Sequence, residues 1–319
     1  MKSMLKTLGS LVFYGRFLRS FSALGFQRRA ADWAPLEPDF SGQHWLVTGA
    51  TGGIGRAVAL AANAAGAKVL AVARSQDKLD ALREDAEIPD RLIPLQADLS
   101  NMTEVGSIPD RQALEGIGLD VLVNCVGVLL NEFSTTDEGF ERSFATNLLG
   151  HYALTEALHR AGTLAESGIV IEVSSGGMYG TPLRLEPMDC KRSDGYDGMA
   201  AYAMHKRAQV ELTRYWNEQW QSRPAAHVMH PGWVDTEGVR TALPGFRAAL
   251  KRILRDADQG ADTILWLAGQ RPEPVKEGIW LDRELQPEHE FAFTQKSCHG
   301  PDDLADFLRQ RVESPTAGA

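Results

Sequence analysis

The chain has 319 residues, 44% of them hydrophobic and 24% charged, a balance that can bury a large core; α/β folds of this length form single units. A net charge of −9 argues against nucleic acid as a partner, because phosphate backbones are held by basic surfaces. Three cysteines, Cys125, Cys190 and Cys298, are an odd number without metal-ligand spacing, which argues for a reducing compartment such as the cytoplasm, no disulfide framework and no metal site.

The first thirty residues carry Lys2, Lys6, Arg16, Arg19, Arg28 and Arg29, with no acid before Asp32. Leu5, Leu8, Leu11, Phe13, Phe17, Phe21 and Leu24 lie between these charges. The longest uncharged stretch, 7–15, is too short to span a bilayer, and no small-residue cleavage site follows it. Residues 1–30 therefore read either as an amphipathic helix in peripheral contact with an anionic membrane, or as a helix packed on the catalytic domain or a second subunit. Packing is favoured, since amphipathic helices usually face protein. Residues 1–42 are expected to form this extension and a linker, 43–312 one domain, and 313–319 a frayed tail.

From residue 44 onward, short apolar runs alternate with helical periods. Strands are expected at 44–48, 68–73, 91–96, 120–125, 168–174, 226–230 and 278–282, with helices at 54–65, 79–82, 138–160, 200–221 and 258–267. This alternation predicts a Rossmann-type, doubly wound, mostly parallel seven-stranded sheet with helices on both faces and ligands at the carboxyl ends of its strands.

The turn after the first strand, Thr48-Gly49-Ala50-Thr51-Gly52-Gly53-Ile54-Gly55, supplies glycines where a strand bends into a helix and a pyrophosphate must approach the backbone. Its spacing fits both Thr-Gly-x-x-x-Gly-x-Gly and Thr-Gly-x-x-Gly-x-x-Gly. At the end of the second strand, where a carboxylate would hold the ribose hydroxyls of NAD, stands Arg74, with no acid until Asp77. A guanidinium there can fork onto a 2′-phosphate, so NADP(H) is favoured over NAD(H), and Lys78 offers a similar charge. About 150 residues further on, Tyr202 and Lys206 lie four apart and so share one helix face. A lysine one turn from a tyrosine is expected to place a cation beside the phenol and favour phenolate, the pairing that acid–base chemistry beside a nicotinamide requires.

These residues resemble the short-chain dehydrogenase/reductase family over about 43–283. The resemblance implies an adenine contact at Asp98 and Leu99. It sets Asn124-Cys125-Val126-Gly127 where the family has Asn-Asn-Ala-Gly, leaving Asn124 and Gly127 as the safer matches. It also implies that Asn147 holds a proton-relay water, that Ser175, or Ser174 one register step away, is the catalytic serine, and that Pro231, Gly232, Val234 and Thr236 line the nicotinamide. The Pro-Gly segment and the Asn-x-x-Gly indicate the reductase type, not the sugar-nucleotide epimerase type. Segments 174–178, 202–206 and 230–240 resemble one branch of the family in particular. Tyr202 would then protonate a carbonyl oxygen held by Ser175, while Lys206 binds the nicotinamide ribose. His205, Phe144, Trp216 and Trp220 read as structural.

Apolar side chains in 176–201 (Met178, Tyr179, Leu183, Leu185, Met188, Tyr196, Met199) and in 237–255 (Val239, Leu243, Phe246, Leu250, Leu254) suggest a lipophilic carbonyl or alcohol substrate, unless both loops make a subunit contact; the family is commonly homo-oligomeric. The rival reading is a dinucleotide-binding sensor or scaffold without turnover, free or membrane-tethered. Intact Ser175, Tyr202 and Lys206 argue against it.

Overall fold

The computed structural model describes residues 15–313; most of the basic segment's first half, 1–14, and the tail beyond Glu313 lie outside the described residues. Seven strands run parallel: β1 (His44–Thr48), β2 (Lys68–Ala73), β3 (Leu92–Gln96), β4 (Leu119–Asn124), β5 (Leu164–Val173), β6 (Ala225–Met229) and β7 (Ile279–Leu281), in the order β3-β2-β1-β4-β5-β6-β7. Both faces are covered, which is why β1, β2 and β4 are almost continuously apolar instead of alternating.

The sheet has eight strands, not the expected seven. β8 (Glu284–Gln286) folds back antiparallel on β7 through Asp282 and Arg283, which take φ of 52° and 61°. Such a turn normally announces itself by Asn-Gly or Asp-Gly; here two side-chain-bearing residues adopt the left-handed region and no glycine marks the place.

Helix α1 (Ala23–Ala30) precedes the sheet; on one face of the sheet lie α2 (Gly53–Ala64), α3 (Gln76–Glu84) and, later in the chain, α9 (Ala257–Gln270). Val58, Ala59, Leu79, Leu82 and Ile264 from these helices pack on Val47, Val69, Ala71 and Val123. The opposite face takes α4 (Met102–Gly106), α5 (Gly150–Arg160), α6 (Gly198–Gln219) and α10 (Pro301–Glu313), with Leu154, Leu212, Trp216, Leu304 and Leu308 on Leu46, Leu70, Leu122 and Val170. Two short helices, α7 (Glu237–Ala242) and α8 (Pro244–Leu250), stand beyond the carboxyl end of β6. Helix α10 was not expected, although Pro301 at its start and Asp302 and Asp303 in its first turn are helix-start signals. Trp216, Phe144 and His205 are wholly buried core residues, as expected. No helix among the described residues is long and apolar enough to cross a membrane.

Residues 15–30 pack on the same chain. Phe17 and Phe21 stack at 4.3 Å, Phe17 lies 5.1 Å from Tyr179, and Phe21 meets His230 at 4.6 Å. The Phe21 carbonyl accepts from the Trp233 amide at 2.8 Å and from Arg255 Nε at 3.0 Å, and the Ser20 carbonyl accepts from Arg255 Nη2 at 2.9 Å. Asp282 closes the cluster by pairing with both Arg255 and Arg29. Burial pushes the Arg255 guanidinium below its ordinary range, and Asp282 pulls it back.

Removing one member of this ion pair leaves the other charge buried and uncompensated. Asp282→Asn is expected to lower unfolding stability by about 3–5 kcal/mol in a urea titration. It should also speed tryptic cleavage at Arg28 and Arg29; wild-type cleavage kinetics would mean that the pair does not hold the segment.

Candidate active site

The site forms where the chain leaves β1 and β4 in opposite directions, the place where open α/β sheets have a crevice. Gly49 turns out of β1 at φ 67°. A Cβ on Gly55 would stand 2.4 Å from the Gly49 carbonyl, so this glycine lets α2 start directly against the strand. Gly53 has φ 49°, and a Cβ there would meet Thr236 Cγ2 at 3.1 Å, whereas one on Gly52 would meet nothing within 4 Å. The open backbone at the start of α2 therefore lies at Gly52, with Gly53 fitted against the segment after β6.

Past β2, Arg74 and Lys78 are exposed, and neither side chain has a hydrogen bond or ion pair among the described residues. Asp98 accepts from the Ser100 amide and hydroxyl, both at 2.8 Å through one carboxylate oxygen. Leu99 packs its carbonyl against Gly150, where a Cβ would come within 2.1 Å. A polar depression of about 650 Å³, lined by Arg74, Gln96, Asp98 and Arg111 among others, adjoins this end of the cleft.

Around the reaction centre both serines line the cleft, but they are differently engaged. Ser174 is buried and donates to the Lys206 carbonyl at 2.7 Å, while Ser175 is the one whose hydroxyl is set beside the Tyr202 phenol. Asp197 caps α6 by accepting from the Ala200 amide at 3.1 Å, and the helix presents Tyr202 and Lys206 one turn apart. Lys206 Nζ donates to the Val173 carbonyl at 2.8 Å and stands 5.7 Å from the centre of the Tyr202 ring. Thus the lysine lies over the ring face and not against the hydroxyl.

On balance the chain's own groups do not lower the phenol. Burial pushes Tyr202 above the ordinary tyrosine range; the Ser175 hydrogen bond opposes this, and Lys206 exerts no resolved pull. Burial likewise drives Lys206 down to about 8, with Glu172 opposing. A phenol that keeps its proton is a proton donor, which suits reduction of a carbonyl. Cys125 in the cleft wall is pushed up to about 12 and is a thiol, not a nucleophile.

One cavity of about 460 Å³ is lined by Gly49, Gly52, Gly53, Ile54, Gly55, Arg74, Asp98, Leu99, Gly127, Ser175, Tyr202, Lys206, Pro231, Gly232, Val234 and Thr236. Three candidates lie outside it. The Thr48 hydroxyl accepts from the Cys125 and Val126 amides at 2.9 and 3.1 Å and donates to the Val123 carbonyl at 3.3 Å. Asn124 turns into the core, donating to Thr155 Oγ1 at 2.9 Å and Glu172 Oε1 at 2.6 Å. Asn147, in a π-helical stretch Ala145–Leu149, is fully buried, with its carboxamide paired to the Val128 backbone at 2.7 Å in both directions. These three shape the walls and do not face the cavity.

Most of the methionine-rich loop is core: Met178, Tyr179, Leu183, Leu185 and Met188 are buried, while Met199 at its end reaches the cavity. The apolar wall of the cavity comes from Met199, from Val239, Leu243 and Phe246 of the second expected loop, and from Val128, Leu129 and Trp233. Asp235 anchors the part of that wall on α7 and α8 by pairing with Arg240 and Arg247, which hold its carboxyl down at about 2. Sequence reasoning missed Phe21 and Arg255, which seat the 230–234 segment from outside, because their partners are hundreds of residues or an unmarked loop away.

The residues present fit a nicotinamide dinucleotide: an open glycine backbone, two unpaired cations at the adenine end, and an acid–base pair at the other. The charge on Lys206 is present below pH about 8 and lost above it, and Tyr202 stays protonated through that range. Carbonyl reduction should therefore be flat at neutral pH and fall about tenfold per pH unit beyond the lysine midpoint. NADPH oxidation followed across the alkaline range checks this, and a rate that rises there would assign the limb to another group.

A family model described as short chain dehydrogenase matches residues 43–185. The branch that the segments around Ser175, Tyr202 and 230–240 resemble is matched as well. The chain is 38% identical to dehydrogenase/reductase SDR family member 12 of Bos taurus, over 94% of this chain and 96% of that protein. It is 33% identical to polyprenol dehydrogenase of Mus musculus, over 77% of this chain and 76% of that one. Among solved structures, a short chain dehydrogenase from Burkholderia cenocepacia in complex with NADP aligns with a TM-score of 0.59 at 26% identity, covering 74% of this chain and 93% of that chain.

Proposed function

The chain belongs to the short-chain dehydrogenase/reductase family and is an NAD(P)-dependent oxidoreductase, and from that premise we propose that it uses NADP(H) to reduce the carbonyl group of lipophilic substrates, a reaction on the C=O/CH–OH couple. The observation that carries this reading is a single cavity with cations at one end, Ser175, Tyr202 and Lys206 in the middle and an apolar wall at the other.

A nicotinamide held in this cavity would supply the hydride. Tyr202, kept protonated by burial, donates its proton to the carbonyl oxygen, and Ser175 donates a hydrogen bond to the same oxygen. Lys206 offers a buried ammonium to the ribose hydroxyls, with the Gly127 backbone alongside it. Trp233, Leu243 and Phe246 form the apolar side of the mouth and limit water at the reacting carbon. Arg74 and Lys78 are the groups for the 2′-phosphate, and the NADP complex of the Burkholderia structure supports the same preference. The mouse relative is named for a polyprenol, which together with the apolar wall supports an isoprenoid-like aldehyde or ketone.

Three measurements test the proposal. Tyr202→Phe should abolish NADPH oxidation while NADPH affinity stays within a few-fold; retained turnover would remove Tyr202 from the mechanism. Arg74→Ala should weaken NADPH by roughly 10- to 100-fold in a fluorescence titration, the range for a hydrogen bond to a charged group, and leave NADH nearly unchanged. Equal losses for both would end the phosphate role. Farnesal should be reduced with a higher kcat/KM than propanal; the reverse order would show that the apolar wall does not select substrate.

A further inference from the structure

Phe21 is buried, and its contacts reach two segments that flank the reaction centre. The first is the turn after β5. A Cβ on Gly176 would stand 2.5 Å from Cε2 of the Phe21 ring and 3.0 Å from its Cδ2, so the ring comes against bare backbone there. Gly176 follows Ser175 directly, and the next amide, that of Gly177, donates to the Ser175 hydroxyl at 3.3 Å. The backbone that Phe21 touches therefore carries the hydroxyl set beside Tyr202.

The second segment follows β6. The same ring meets His230 at 4.6 Å and Trp233 at 5.9 Å, edge to face in both contacts. The Phe21 carbonyl accepts from the Trp233 amide, and a Cβ on Gly232 would stand 2.6 Å from that carbonyl. Gly232 also has φ 73°, so a side chain is excluded there on two counts. Trp233 lines the cavity and meets Phe246, another part of its apolar wall, at 5.4 Å. One ring thus touches the serine turn and the root of the apolar wall. In a close-packed interior a shift on one side of such a ring is passed to the other.

We propose that Phe21 is a positioning residue for the reaction, a spacer whose ring sets the separation between the Ser175 turn and the Trp233 segment and so places the substrate carbonyl. Phe21 is not among the residues lining the cavity, and it acts through those two segments. Gly176 and Gly232 are the positions that give it room. The segment before the first strand is in this way part of the reaction centre's frame. The purpose of the spacer rests on the reductase reading, while the spacing itself can be read without cofactor.

The test labels the full-length, cofactor-free protein with fluorotryptophan and follows the fluorine NMR signal of Trp233, assigned by its loss in Trp233→Phe. Gly176→Ala sets a methyl group against the ring and should shift that signal. In Phe21→Ala, where the ring is gone and the carbonyl stays, adding Gly176→Ala should leave the signal nearly still. A signal that Gly176→Ala does not move, or moves equally with and without the ring, overturns the proposal. In turnover, Phe21→Ala and Gly176→Ala should each lower kcat by about tenfold, as a small misplacement of reacting groups does. The affinity for 2′-phospho-ADP-ribose, a cofactor fragment without the nicotinamide, should not change, and the double variant should be no slower than Phe21→Ala alone. Should Gly176→Ala or Phe21→Ala not fold, the milder Phe21→Leu decides: a lowered kcat with unchanged fragment affinity supports the spacer, and wild-type kcat overturns it. If the wild-type protein reduces no carbonyl, the fluorine signal still decides the spacing, so the two readings fail separately.

Discussion

One hydroxyl holds together the two strands whose divergence makes the cavity. Thr48 ends β1, and its Oγ1 receives the first two amides beyond β4 while giving its own proton to the Val123 carbonyl. Amides at the end of a parallel strand have lost their ladder partner, and buried unpaired donors are costly. Thr48 satisfies them and draws the 124–128 loop close to the glycine turn. From that closure follow the tight approach of Val126 to Gly49 and the place of Gly127 beside Lys206. A residue of this kind has no need to touch a ligand to decide where the ligand goes.

Burial is the second organising influence, and it acts on the two central groups in opposite chemical senses. Removing water favours the neutral form of each, so the phenol holds its proton more firmly and the ammonium holds its own less firmly. The result is an acid that is ready and a cation that needs support from nearby. At Arg255 the fold supplies such support directly, for Asp282 answers a guanidinium almost without access to water.

Much of this was legible in the chain. Apolar runs bounded by glycine or acid gave the parallel strands, because burial on both faces leaves no other composition. The glycine turn, Arg74 and the Tyr202–Lys206 spacing carried the cleft, since each demands a particular residue type at a particular place. Less legible were features set by where a side chain points. Thr48, Asn124 and Asn147 match a pattern, yet their polar groups serve the backbone and the core. The serine ambiguity is settled by partners, the Lys206 carbonyl for Ser174 and the Tyr202 phenol for Ser175, which spacing does not show. The methionines of 176–201 looked like an adaptable surface, but hydrophobicity alone does not separate a core loop from a binding loop. β8 was hidden because its turn is built from Asp282 and Arg283 at positive φ.

The seating of Phe21 has a consequence for how the protein is made. Its carbonyl takes a hydrogen bond from Arg255, 234 residues downstream, and Arg255 in turn depends on Asp282. During synthesis the glycine turn and the first parallel strands can assemble while this early segment still has nothing to bind. The nicotinamide end of the cavity would gain its outer support only after Arg255 and Asp282 have emerged, so the segment around Phe21 waits exposed while the strands between are made. Chain order thus makes a segment that precedes the whole sheet one of the last to find its place.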